Sequence, residues 1–191
     1  MKLCEIVDSS HIFADQPAEI IAPLLKKLQI SAKKILDLNS RIELCQLGSF
    51  YCVRRGADVL AWVELGDQVK IKRQKFETLK FIYVVPEARK SMITGLFLLG
   101  LKKVLKNPVI LGSDKYGGVL FAGGSELVKA LGSSAKFTVS IMNLKTGKKI
   151  PFDSEKHLLT DKGTTLVFED DVPLFYDAGA VGIIYLFEDV K

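Results

Sequence analysis

Apolar and polar residues follow one another along this chain in short runs, each of which predicts an element. Ile20, Leu24, Leu25 and Leu28 recur at helical spacing as far as Ile30, behind an entrance at Asp15-Gln16-Pro17 where Asp15 caps and Pro17 fills the first turn. Leu3 to Asp8 reads as a short strand before it. Ser31 then caps a second helix carrying Ile35, Leu38 and Ile42, with Lys33, Lys34 and Asp37 on its solvated face. Leu44 to Arg54 and Val59 to Leu65 read as two strands of a hairpin turning through Arg55-Gly56-Ala57-Asp58, and Leu60, Trp62 and Glu64 share one side of the second. From Val69 to Lys75, Val69, Ile71 and Arg73 alternate with Lys70, Lys72 and Gln74, the pattern of a half-buried or edge segment protected by charge.

The stretch Phe76 to Lys106 organises the rest. Strand-forming residues from Leu79 to Val85 meet Pro86, turn through Glu87 to Lys90, and give way to a helix with Ile93, Phe97, Leu101 and Val104 on its apolar face. Asn107-Pro108 stops that helix, and Val109 to Gly112 reads as the second parallel strand of a βαβ unit. A glycine-rich loop, Ser113 to Gly124, leads to a short helix, Ser125 to Leu131, closed by Gly132. Lys136 to Leu144 and Lys148 to Phe152 form a hairpin across Thr146-Gly147. Thr164 to Phe168 and Gly182 to Phe187 are two further strands, separated at Glu169-Asp170-Asp171-Val172-Pro173, that extend the sheet or cover its edge. The predicted class is α/β of the α+β kind: a mixed, mostly antiparallel sheet with helices on both faces over residues 1–150, and an acidic β extension over 151–191.

Composition narrows the class. At 191 residues and 48% hydrophobic content the chain can bury a proper core. Met1 to Ser10 mixes Lys2, Glu5 and Asp8 into its apolar residues, and no apolar run approaches the roughly 20 residues of a membrane span, so a soluble cytoplasmic protein with no membrane partner is expected. Cys4, Cys45 and Cys52 form neither a CxxC pair nor an even disulfide framework, and read as small buried hydrophobes in a reducing compartment. His11 and His157 lie far apart without a ligand pattern, and the acidic run before Pro173 reads as a turn, so no metal is expected.

The net charge of +5 hides an asymmetry. Between Val69 and Lys106, ten basic residues (Lys70, Lys72, Arg73, Lys75, Lys80, Arg89, Lys90, Lys102, Lys103 and Lys106) stand against Glu77 and Glu87, whereas from Pro151 onward acids predominate. Arg89 and Lys90 fall where the first N–H groups of the Ile93 helix point outward. A basic residue at that end opposes the helix dipole, and an anionic ligand or a neighbouring carboxylate such as Glu87 would supply the reason.

The order apolar strand, Val85-Pro86-Glu87-x-Arg89, long helix ending in lysines resembles the acetyl-CoA-binding segment of the GNAT (Gcn5-related) N-acetyltransferase superfamily, and the element order over about residues 1–150 is similar to that fold. Val85, Pro86 and Arg89 match the family pattern. Met92 and Thr94 stand where the family places glycines, with Gly95 one position late. The resemblance implies acyl-CoA-dependent N-acyl transfer with acetyl-CoA as cosubstrate and an amine as acceptor. It implies that backbone groups of Tyr83, Val84 and Val85 bond the pantetheine arm and that Arg89, Lys90, Ser91, Met92, Ile93, Thr94 and Gly95 hold the pyrophosphate. Transfer in that family is direct, so a base and an acid are needed: Glu77 and Glu64 are the candidate bases and Tyr116 the candidate acid. A homodimer is among the assemblies it allows.

Two other classes share these residues. The basic 70–106 region, with Phe76, Phe81 and Tyr83 interleaved, suits nucleic acid, and some GNAT relatives modify DNA bases, phage proteins among them. A fold that has lost its cofactor and serves as a binding or structural protein is the third reading.

Overall fold

The computed structural model describes residues 18–88, 92–111, 136–143, 149–151, 157–159, 165–167 and 183–187. In chain order these form α1 (Ala18–Ser31), β1 (Lys33–Asn39), β2 (Ile42–Leu47), β3 (Phe50–Arg55), β4 (Asp58–Leu65), β5 (Val69–Ile71) and β6 (Gln74–Val84). A 3-10 turn (Pro86–Ala88), α2 (Ile93–Val104), β7 (Val109–Leu111), β8 (Ser140–Asn143), β9 (Lys149–Pro151), β10 (His157–Leu159), β11 (Thr165–Val167) and β12 (Ile183–Phe187) follow. The architecture is mixed α+β with a mostly antiparallel sheet and few helices. Two compact units share the chain, one made of Met1–Gly66 with Lys80–Lys106 and the other of Asp67–Leu79 with Asn107–Lys191. β6 passes from the second unit into the first between Leu79 and Lys80.

In the first unit β1, β2, β3 and β4 form an antiparallel meander, and the C-terminal half of β6 lies beside β4. The meander turns where the chain can take a left-handed backbone without penalty: Gly48 and Gly56 both have φ +59°, with no atom close enough to obstruct a side chain. Leu28, Leu44, Trp62, Phe97, Leu98 and Leu101 are fully buried or nearly so. Trp62 stacks on Tyr83 at 5.8 Å between ring centroids and meets Phe50 edge-on at 6.0 Å. Each such large side chain contributes about 2–3 kcal/mol when taken out of water. Gly100 lets α2 approach the meander, since a Cβ there would lie 2.5 Å from a Leu38 methyl.

In the second unit β5 pairs with the N-terminal half of β6, Val69 facing Phe76, Lys70 facing Lys75 and Ile71 facing Gln74. β6 pairs with β7 in parallel, Glu77 to Val109 through Leu79 to Leu111, which bears out the βαβ unit joined through α2. β12 lies between β7 and β8, antiparallel to both, and β8 continues to β9. The strand at 183–187 thus takes an interior place in this sheet. β10 and β11 form a separate antiparallel pair.

The structure corrects several sequence-based elements. Ser31 is the last residue of α1 and caps no second helix: Lys33–Asn39 is the strand β1, and Ile42 begins β2. Ile35, Leu38 and Ile42 imitate a helical repeat, yet Ile35 is 39% exposed, and Asn39 Oδ1 accepts the Arg41 N–H at 2.9 Å to reverse the chain before Ile42. Leu44 to Arg54 is two strands, broken at Gly48. Val69 to Lys75 is a hairpin whose second arm, β6, begins five residues before Leu79. The helices among the described residues are α1 and α2, and the β10 strand has no counterpart in the hydrophobic pattern. The expected strand at Leu3 to Asp8, the Asp15 cap and the helix at Ser125 to Leu131 lie outside the described residues.

Candidate functional site

At the end of β6 the Val85 N–H donates to the Leu60 carbonyl at 3.0 Å, and Ala88 N–H closes the 3-10 turn on the Val85 carbonyl at 2.9 Å. Proline at position 86 removes a donor and presets φ, which favours leaving the strand there. Ala88 is 7% exposed and anchors the turn. α2 then starts without a side-chain cap: Met92 occupies the N-cap position, makes no capping bond and is 79% exposed. The first helical bond runs from Leu96 N–H to the Met92 carbonyl at 3.0 Å, so the N–H groups of Thr94 and Gly95 have no acceptor within the helix. No acid occupies the first turn, while Lys102 and Lys103 lie in the last, where the helix dipole favours them. Thr94 is 1% exposed, and its hydroxyl oxygen is buried without a hydrogen-bond partner.

Beside the 3-10 turn, within the first unit, opens a cleft of about 510 Å³. α1 contributes Leu25 and Gln29, the β3–β4 turn Arg55 and Asp58, and the chain after β6 Val85 and Glu87. One guanidinium, two carboxylates and an amide therefore edge an apolar floor, a composition suited to orienting a small polar group. Comparison of the chain with protein-family models, with curated proteins and with solved structures found no match.

The sequence-derived site residues fall into distinct surroundings. Val85 touches the cleft, Ile93 and Thr94 are buried at the start of α2, and Gly95 is half-buried. Tyr83 is 7% exposed with its ring on Trp62, and Val84 is fully buried, so their side chains belong to the core. Glu64 is half-buried on β4 in the first unit. Glu77 belongs to the second unit, where its Oε1 accepts from Gln68 Nε2 at 2.8 Å and Asn107 Nδ2 at 2.7 Å, and its N–H donates to the Pro108 carbonyl at 2.9 Å. That carboxylate clasps the loop before β5 to Asn107, just ahead of β7 in the same unit. Arg89, Lys90, Ser91 and Tyr116 lie outside the described residues. Arg55, Asp58 and Gln29 were not singled out by sequence. The Arg55-Gly56-Ala57-Asp58 turn signalled a reversal, and nothing local signalled that its ends would face α1.

Another cluster sits on β2 and β3. Cys45 and Cys52 face one another across the strands and are both fully buried. Burial pushes the Cys45 thiol up to about 11 and the Cys52 thiol up to about 12. Cys45 Sγ donates to Glu43 Oε1 at 3.5 Å, and the same oxygen accepts from Arg54 Nε at 3.1 Å and Nη2 at 2.7 Å. Arg54 Nη1 reaches the Gln29 carbonyl at 3.0 Å, fixing the end of α1 to the meander. Neutral, enclosed thiols of this kind are poor nucleophiles.

Proposed function

We propose that the protein is an acyl-CoA-dependent N-acyltransferase of GNAT-like architecture, with the start of α2 as its phosphate-binding end. The observation that carries the reading is the uncapped, acid-free first turn of α2, reached from β6 through Val85-Pro86-Glu87, a segment whose Val85 and Glu87 line the open cleft. The N–H groups of Thr94 and Gly95, which have no helical acceptor, and a buried, unpartnered Thr94 hydroxyl offer donors suited to a pyrophosphate. Met92 is exposed, so its side chain leaves that end open despite replacing a glycine. The Val85 N–H is already engaged by Leu60, so a pantetheine arm would pair with other backbone groups of this segment.

In the reaction the amine nitrogen attacks the thioester carbonyl, the carbon–sulfur bond breaks, and the products are an amide and the CoA thiol. The amine loses one proton and the leaving thiolate gains one. Glu87 and Asp58 edge the cleft and join Glu64 as candidate acceptors of the amine proton, and Arg55 is placed to offset the charge on a developing oxyanion. Glu77, held by two amides, is better suited to positioning. Calorimetric titration with acetyl-CoA tests the reading: saturable binding that is lost in Arg89→Glu supports it, and no heat at millimolar ligand ends it.

A further inference from the structure

The β5–β6 hairpin concentrates charge at a cost that nothing among the described residues offsets. Lys70, Lys72, Arg73 and Lys75 fall within six residues and all four are exposed. Lys70 and Lys75 are direct cross-strand partners, so two ammonium groups project from the same face of the ribbon. Lys72 has φ +55°, the only positive φ among the described non-glycine residues, at the first position of a two-residue turn where glycine is the unstrained choice. None of the four has a carboxylate partner among the described residues. Glu77 lies two positions beyond Lys75 but gives its Oε1 to Gln68 and Asn107.

The opposite face of the ribbon holds Ile71, 8% exposed, and Phe76, fully buried, so the hairpin is anchored by its inner side while the charged side and tip stay in water. We propose that this hairpin is a phosphate-gripping finger for duplex DNA. A two-stranded ribbon fits the B-form major groove, whereas the deep, narrow groove of duplex RNA excludes it. Single strands are held by exposed aromatic platforms, and the aromatics of this region with described side chains, Phe76 and Tyr83, are in the core. An anionic membrane is met by apolar side chains beside the cations, and this tip is Lys72-Arg73 with no exposed apolar residue in the ribbon. The contact is with phosphates, and so it is insensitive to base sequence.

The test is fluorescence anisotropy of the full chain with a short labelled duplex of arbitrary sequence, over a range of salt. Four phosphate contacts give a slope of log K against log salt of roughly −3 to −4, and Lys70→Ala with Lys75→Ala flattens it by about two. Lys72→Gly removes a charge while relieving the backbone, so it weakens duplex binding without lowering the melting temperature, which separates loss of contact from loss of fold. Acetyl-CoA titration is unchanged in these variants, so the finger stands or falls apart from the transferase reading. Duplex binding that survives all three substitutions overturns the proposal. Preference for single-stranded DNA overturns it as well, and so does preference for phosphatidylserine vesicles, which would reassign the hairpin to membranes.

Discussion

Two kinds of hairpin in this chain obey opposite rules. In the meander, left-handed turn positions are glycines, Gly48 and Gly56, and charges across the strands are opposite, Glu43 facing Arg54 and Arg55 facing Asp58. Even where acids face each other, Asp37 across from Glu43, each has its own cation: Lys34 at 2.6 Å and Arg54 at 2.7 Å. The β5–β6 hairpin puts lysine at the left-handed position and lysine opposite lysine, with no acid to relieve them among the described residues. One set of turns is composed for stability. The other gives up stability for an exposed concentration of charge, and such a departure is expected at a working surface.

Imposing the second hairpin's rule on the first gives the largest effect. Glu43→Lys would place two cations opposite each other in a partly buried setting and leave Arg54 without its carboxylate partner, a loss of about 3 kcal/mol read as a lower urea midpoint. Gly48→Lys tests the turn alone: nothing obstructs a side chain there, so the cost is the left-handed backbone itself, about 1–2 kcal/mol. A Gly48→Lys variant as stable as the parent would remove the argument that Lys72 is strained. In the other direction, Lys70→Glu turns a like-charge pair into an opposite one and stabilises by about 0.5 kcal/mol, an increment that shrinks in added salt.

The last effect vanishes at neutral pH. Cys45 and Cys52 keep their protons in the fold to about 11 and about 12, whereas the unfolded chain releases them near the ordinary thiol value of 9.0. Their contribution is intact below about pH 9 and declines as pH rises through the folded values, because over that interval the folded chain binds more protons. Urea unfolding followed from about pH 8 to about pH 11 shows a falling midpoint, and the slope is shallower in Cys45→Ala with Cys52→Ala.

What the sequence revealed depended on how local the signal was. The β6 to α2 to β7 passage was legible because a dense apolar run, Pro86, the Ile93-Phe97-Leu101 repeat and Asn107-Pro108 each act over a few residues. The β8–β9 hairpin was legible for the same reason. β1 was misread because Ile35, Leu38 and Ile42 fit a helical period although Ile42 belongs to the next strand, and the decisive signal was the side chain of Asn39. Gly48 was passed over inside an apolar run. The cleft was not legible at all, since Gln29, Asp58 and Glu87 come together only through tertiary packing. The start of α2 was read correctly as a helix start, but the absence of a side-chain cap and the buried Thr94 hydroxyl became visible only in three dimensions.

β12 sets a timetable for synthesis. The first unit has all of its residues once Lys106 has left the ribosome, whereas the second has a vacant lane between β7 and β8 until residues 183–187 emerge. At about 5–20 residues per second that interval is on the order of ten seconds. Throughout it, both flanking strands present bare edges, the kind that recruit other chains. A message truncated ahead of Ile183 would therefore yield a product that is well formed in its first unit and prone to clump through its second.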